Sequence, residues 1–200
     1  MLMENAGRNA AAIIRNTYGH TGKAFICCGP GNNGGDGCVI ARHLHNAGWS
    51  VRLMITADVP RMTGDTKVNY AIVDAMTLET RVLPDWETQR AAVDSICDDE
   101  VMVDSLLGTG FRGEVRSPTA ELIGAINAAA KRALVAIDVP SGLDCNTGAP
   151  SNATIRADLT ITFVASKIGF TTASASPYVG RIEVADIGAP RELIDEIQRS

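Results

Sequence analysis

The chain has 200 residues, 46% of them hydrophobic and 20% charged, with a formal net charge of −5. That is enough for one well-buried domain over residues 1–200 and hardly enough for two, in proportions ordinary for a globular protein. No Lys/Arg run offsets the acidic balance, which argues against nucleic acid or an anionic membrane as partner. No apolar run approaches the roughly 18 residues of a membrane span.

Aromatic residues are only 4%, so the core falls to Ala, Val, Ile and Leu, as in a buried parallel sheet. From Leu2 to Tyr18 apolar residues recur at helical spacing, and Glu4 among them argues against a cleaved leader. Lys23 to Cys28 reads as a buried strand that ends at a run of glycines. A helix from Asp36 to Asn46, closed by Gly48, and a strand from Val51 to Thr56 follow. Helices over 63–77 and 87–97 flank a weak strand at 81–83. The strand 101–104 ends in a carboxylate, and Ser117-Pro118 supplies an N-cap and first-turn proline for a helix over 118–130. Strands at 133–138, 159–164 and 181–184 come next, and a short helix opens at Pro190. This alternation predicts an α/β fold of βαβ units, a mostly parallel sheet with helices on both faces.

The five cysteines are odd in number and form no CxxC pair. They read as buried thiols of a reducing, cytoplasmic compartment, with Cys27 and Cys28 facing opposite sides of one strand. His43 and His45, at i and i+2, face different sides of their helix and make a poor zinc pair.

Ligands of such sheets bind at the carboxyl ends of the strands, and three polar loops lie there. The first, Gly29-Pro-Gly-Asn-Asn-Gly-Gly-Asp-Gly37, matches GxGxxG at Gly29, Gly31 and Gly34. Two residues oppose a plain dinucleotide reading. Pro30 removes an N–H, and Asp36 puts negative charge where a pyrophosphate would sit, unless it merely caps the helix. Asn32 and Asn33 bring amide oxygens, which suit a cation or a sugar hydroxyl better than a bare phosphate. The second loop runs from Asp104 through Gly108-Thr109-Gly110 to Arg112-Gly113-Glu114. Its N–H groups, hydroxyl and guanidinium can cradle a phosphate, or form only a glycine-rich turn with a solvated arginine. The third holds Asp138, Ser141 and Gly142, which also suit a β-turn with a capping acid.

The segments MENAG (3–7), CGPGNNGGDG (28–37), DSLLGTGFRGEV (104–115), DVPSGLD (138–144) and RADLTITFVASKIGF (156–170) share order and spacing with a known family. Together they resemble the YjeF N-terminal domain family, whose enzymes are NAD(P)H-hydrate epimerases, over nearly the whole chain. The resemblance implies a Rossmann-like three-layer α/β/α sandwich, usually a homodimer. It implies interconversion of the R and S forms of hydrated NADH and NADPH (NADHX and NADPHX). A separate S-specific NAD(P)HX dehydratase then repairs both forms. It further implies that Asn32, Asn33, Gly34, Gly35, Asp36, Gly108, Thr109, Gly110, Phe111, Arg112, Gly113, Glu114 and Asp138 contact the hydrated nucleotide. Asn33, Asp104 and Ser141 would hold a potassium ion (K+), and hard oxygen ligands of this kind suit such a cation better than zinc.

Epimerisation by loss and return of the hydroxyl needs a carboxylate near the ring. Asp138 and Glu114 are the candidates, with Lys67 a weaker third; Glu114 also reads as a partner of Arg112. Lys167, in SKIGF, matches a family position without an assigned role. Family members generally carry a helical segment before LMENAG, whereas Met1 here stands two residues before Met3. With no kinase-like dehydratase domain before Ser200, the expectation is that the dehydratase is a separate protein or absent. Two other readings stay open. A non-catalytic nucleotide- or protein-binding module has no need of Asn33, Asp104, Asp138 and Ser141 together. An NAD(P)-dependent dehydrogenase is disfavoured by Pro30, Asp36 and the lack of a hydride-transfer His/Arg set.

Overall fold

Runs such as Lys23-Ala-Phe-Ile-Cys-Cys28 and Ala133-Leu-Val-Ala-Ile137 are apolar on both sides, so they fit strands covered on both faces. The computed structural model describes residues 2–62, 64–190 and 192. Its seven strands are β1 (Lys23–Cys28), β2 (Ser50–Ile55), β3 (Glu79–Val82), β4 (Glu100–Ser105), β5 (Ala133–Ile137), β6 (Leu159–Phe163) and β7 (Arg181–Ala185). They form one sheet in the order β3-β2-β1-β4-β5-β6-β7. Every pairing is parallel, so the mostly parallel sheet expected is wholly parallel.

Helices α1 (Leu2–Tyr18), α2 (Asn32–Asn46) and α3 (Gly64–Asp74) cover one face. Helices α4 (Trp86–Asp94) and α5 (Thr119–Ala128) cover the other. Strand alternation sorts the core between them. Cys28, Val103, Val135 and Ile161 face the first layer, and Cys27, Met102, Leu134 and Ala136 the second. The two adjacent cysteines therefore do point apart. A short α6 (Ser176–Val179) joins the Asp138–Asp144 loop in a small third cluster of Val139, Leu143, Phe170 and Val179.

Helix α2 is the innermost helix, buried without a break from Asn33 to Ala41. It starts at Asn32, not at Asp36 as expected, so the Asn-Asn-Gly-Gly stretch is its first turn and not a loop. Two glycines disfavour a helix by roughly 1 kcal/mol each, and packing overrides that preference. A Cβ on Gly34 would lie 1.8 Å from the Gly29 carbonyl oxygen, and one on Gly7 of α1 would lie 2.4 Å from Val39 Cβ. A second correction concerns α5. Pro118 itself is the N-cap, no side chain caps the helix, and Ser117 lies outside it. Helices α3 and α4 each end three residues before the expected 77 and 97. The helix expected from Pro190 falls almost wholly outside the described residues. No described helix is long and apolar enough to cross a membrane.

The strand order reverses between β1 and β4: α2 leaves β1 toward one face, and α5 lies beyond β4 on the other. This opens a crevice at the strand ends. Register aligns its rim. Cys28 pairs with Ser105, Asp104 with Ala136, and Ile137 with Ile161. One residue further along stand Gly29, Leu106, Asp138 and Thr162, where the three predicted loops depart.

Candidate active site

Asp104, the penultimate residue of β4, faces the α4/α5 side of the sheet and is fully buried. The adjoining Asp138 loop satisfies its carboxylate. The Ser141 N–H donates to Oδ2 at 2.8 Å and the Ser141 hydroxyl to Oδ1 at 2.6 Å. The Leu106 N–H donates to Oδ1 at 3.2 Å. Burial pushes this carboxyl up to about 6, against the pull of those donors. Ser141 Oγ also accepts from the Leu107 N–H at 2.9 Å. The Leu107 carbonyl in turn accepts from Asn33 Nδ2 at 2.9 Å. Asn33, Asp104 and Ser141 are thus joined through one residue of the second loop. Asn33 Oδ1, the other half of that amide, is buried with no hydrogen-bond partner. A buried orphan oxygen, and a buried carboxylate that has hydrogen-bond donors but no counter-ion among the described residues, are what a hard cation would satisfy. Among the described residues no three His, Cys, Asp or Glu side chains cluster as a metal site.

Beside this network lies a cleft of about 400 Å³, lined by residues that include Asn32, Asn33, Asp36, Gly108, Phe111 and Asp138. Its two carboxyls differ. Asp138 has φ +66°, in the left-handed region, and its N–H extends the ladder to the Ile161 carbonyl at 2.7 Å. Its Oδ1 accepts from Lys167 Nζ at 3.0 Å. Lys167 also donates to the Phe163 carbonyl at 3.1 Å, and the chain between them turns through Val164 at φ +69°. A β-branched residue there is strained. Strain at both strand ends accompanies the ion pair. Asp36 has no such counter-ion: none of the ion pairs among the described residues includes it. Burial first, then the charge on Asp138, pushes its carboxyl up to about 8. The negative charge expected at the α2 N-terminus is therefore largely absent at neutral pH. Asp36 is no cap either, because the N-cap is Gly31 and no side chain caps it. The objection to an anion at this helix end falls away.

The second loop crosses the mouth and is fixed at both ends. Leu107 is held by Asn33 and Ser141, and the Val115 N–H by Asn152 Oδ1 at 2.8 Å. Arg112 folds back to the Thr109 carbonyl at 2.8 Å and lies 3.9 Å from Asp144, so it does not pair with Glu114. Thr109, Gly110, Arg112, Gly113 and Glu114 between these anchors are exposed. Glu114 lines a second, larger cleft of about 950 Å³ on the far side of the loop, with Arg112, Arg116 and Thr119.

Most of the expected residues gather here: Asn32, Asn33, Asp36, Gly108, Thr109, Gly110, Phe111 and Asp138 share the smaller cleft. Gly34 and Gly35 are buried behind it against the protein's own atoms. Of the two candidate catalytic carboxylates, only Asp138 lies in that cleft, and Glu114 does not join it. Lys67 is exposed on α3. Lys167 is the residue that sequence reasoning left without a place. The available signal was a lysine four residues past a strand whose neighbour ends in an aspartate.

Comparison with known proteins shows what the chain is similar to. The family described as "YjeF-related protein N-terminus" matches residues 1–169. The chain is 41% identical to the NAD(P)H-hydrate epimerase of Pirellula staleyi, over 98% of this chain and 86% of that protein. It is 38% identical to that of Rhodopirellula baltica, over 97% and 77%. It is 39% identical to the bifunctional NAD(P)H-hydrate repair enzyme Nnr of Moorella thermoacetica, covering 97% of this chain but 37% of that longer protein. The crystal structure of yeast YNL200c shares the fold, with TM-score 0.71 at 23% identity over 92% of this chain and 76% of that one. A matched stretch that reaches from the first residue past Lys167, with relatives aligned along nearly the full length, places the chain in one family: it belongs to the YjeF-related N-terminal proteins.

Proposed function

We propose that this protein interconverts the R and S forms of hydrated NADH and NADPH, as part of nicotinamide nucleotide repair. The observation that carries the reading is full-length similarity, at 41% and 38% identity, to two proteins named NAD(P)H-hydrate epimerase. The cleft supports it. A nucleotide needs N–H donors for its phosphates, and the uncapped α2 N-terminus and the exposed glycines of the second loop offer them. Asn32, Asn33, Gly34, Gly35 and Asp36 are the proposed contacts from the first loop, and Gly108 to Glu114 those from the second. Glu114 and Arg112 then serve the part of the nucleotide that reaches the larger cleft.

The residues present fit a potassium ion. Asn33 Oδ1 is orphaned, and Asp104 and Ser141 bring oxygen ligands to the same buried network. Potassium, when bound, supplies fixed positive charge beside the nucleotide and offsets the Asp104 carboxylate. The reacting carbon bears both a hydroxyl and the ring nitrogen. Loss of the hydroxyl leaves a planar cation that the nitrogen stabilises, and Asp138, held by Lys167, offers that cation a fixed negative charge.

The test uses a mixture of R and S hydrates of NADH with an S-specific dehydratase in excess. The dehydratase alone consumes the S form and leaves the R form to drain at its spontaneous rate. Adding this protein in potassium buffer should make the R form vanish quickly, and Asp138→Ala should not. An R form that drains no faster with the wild-type protein, in potassium or sodium, refutes the reading and leaves a binding module.

A further inference from the structure

We propose that Asp36 is the proton donor and acceptor of this reaction, working across one cleft from the lysine-bound Asp138. The inference rests on the epimerase reading above and deepens it by replacing Glu114 as the second carboxyl.

The argument starts from chemistry. A hydroxyl leaves an aminol carbon readily only as water, so some group must deliver a proton to it. The same site must keep a negative charge for the ring cation. One carboxyl cannot do both at once; two carboxyls held in opposite states can. Asp36 and Asp138 are the two carboxyls that line the smaller cleft. Lys167 Nζ sits 3.0 Å from Asp138 Oδ1 and forms an ion pair with it. Asp36 is 9% exposed, on a buried helix, and takes part in no ion pair among the described residues. It also lines the neighbouring cleft formed with Met3, Asp65 and Phe163, so it stands at the junction of the two. Glu114, exposed at the end of the second loop, lines neither cleft.

Of the groups that face Asp36, the Asp138 carboxylate from beyond β5 pushes its carboxyl up. Asp65 of α3 lines the neighbouring cleft, and the Cys28 thiol at the end of β1 is pushed up by burial and brings no charge. Glu4 of α1 is already engaged by Arg42 and His43. Burial and Asp138 together hold the Asp36 carboxyl up at about 8, the protonation an acid needs at neutral pH.

The step balances without any further reactant. The carbon–oxygen bond breaks and its electron pair leaves with the oxygen. The Asp36 proton joins that oxygen to release water, and the nitrogen lone pair closes the ring cation opposite the Asp138 carboxylate. Water then adds to the planar carbon, on either face, and returns its proton to Asp36. Nothing is oxidised or reduced, and the enzyme regains its starting state.

Asp36→Asn, of nearly the same shape, tests this in the dehydratase-coupled assay, with kcat and KM measured separately and kcat followed from about pH 6 to about pH 10. The expected result is a kcat lower by roughly 100- to 10,000-fold with KM within about threefold, and partial recovery in Asp36→Glu. Wild-type kcat should fall on the alkaline side, about tenfold per pH unit beyond its midpoint. An Asp36→Asn enzyme within about threefold of wild-type kcat overturns the inference and leaves the epimerase reading standing. So does a wild-type kcat that stays flat to about pH 10, a result that decides the matter even if the variant fails to fold. A wild-type protein with no epimerase activity overturns both.

Discussion

Gly34, in the first turn of α2 behind the cleft, and Gly110, in the second loop that lines it, come from stretches of similar glycine content and meet opposite surroundings. A Cβ on Gly34 would stand 1.8 Å from the Gly29 carbonyl oxygen, and one on Gly29 would stand 2.0 Å from that of Leu106. Gly37 likewise faces Cys28 Sγ and Ser105 Oγ. At Gly29 and Gly34 the protein packs its own backbone, and at Gly35 and Gly37 its own side chains, which holds Asn33 and Asp36 on a buried helix; Gly31 of the same stretch meets nothing within 4 Å. A Cβ on Gly110 or Gly113 would meet nothing within 4 Å. Gly110, whose φ is not left-handed, leaves room for something that is not protein, whereas Gly113 at φ +81° also needs glycine for its backbone conformation. One residue type thus builds a floor on one side and an open flap on the other. A glycine motif in a sequence does not say which.

The sharpest way to break this comparison is Gly34→Ala. Its clash is with backbone, which cannot swing aside, so a loss of at least about 3 kcal/mol is expected. Thermal unfolding should move down by roughly 6–12 °C. A variant with unchanged melting would show that the first loop is as loose as the second.

Asp36 offers a pH test of the same rigid arm. Its folded-state pKa, about 8, lies above the ordinary 3.8. The protonated carboxyl favours the folded state fully below about pH 4, and the advantage is lost as pH rises through about 8. Asp36→Asn cannot ionise and keeps it. Its melting temperature should gain on wild type between about pH 4 and about pH 8, with a slope of at most about 1.4 kcal/mol per pH unit. Parallel pH curves would mean that Asp36 is not held protonated.

A smaller effect is expected from potassium. At tenfold excess over its dissociation constant it should stabilise the wild-type protein by about 1.4 kcal/mol, or roughly 3–6 °C. Choline chloride at equal ionic strength should not. Asn33→Leu, which removes the orphan oxygen, should abolish the difference; equal shifts in both proteins would place the cation elsewhere.

Gly110→Ala closes the series. Its φ is not in the left-handed region and its surroundings are open. Stability should change by less than about 0.5 kcal/mol, while KM for the hydrated nucleotide rises. The reverse pattern would make the flap structural.

Much of this was legible in the sequence. The strands were, because β1, β4, β5 and β6 are short apolar runs and a parallel sheet buries both faces. The weak strand near 81–83 proved to be the exposed edge strand β3. The start of α2 was hidden, because Asn-Asn-Gly-Gly has poor helix propensity and its compensating contacts come from Gly29, Met3 and Thr66. The three aspartates were visible as strand-end or helix-end acids. Their states were not. Asp36 is neutralised by burial and by a residue of another loop, and Asp104 is satisfied by Ser141 across a strand boundary. Lys167 stayed unplaced because its partner lies beyond a different strand, brought close by two left-handed residues that no propensity announces.

The most direct measurement starts from the purified S hydrate of NADH, with no dehydratase present. The R form is followed by chromatography after adding the protein in potassium buffer. Epimerase action in this cleft predicts that R appears far faster than in buffer alone, up to the equilibrium mixture and no further, and that Asp138→Ala leaves only the spontaneous rate. An S hydrate that persists as long with the wild-type protein as without it would contradict the assignment.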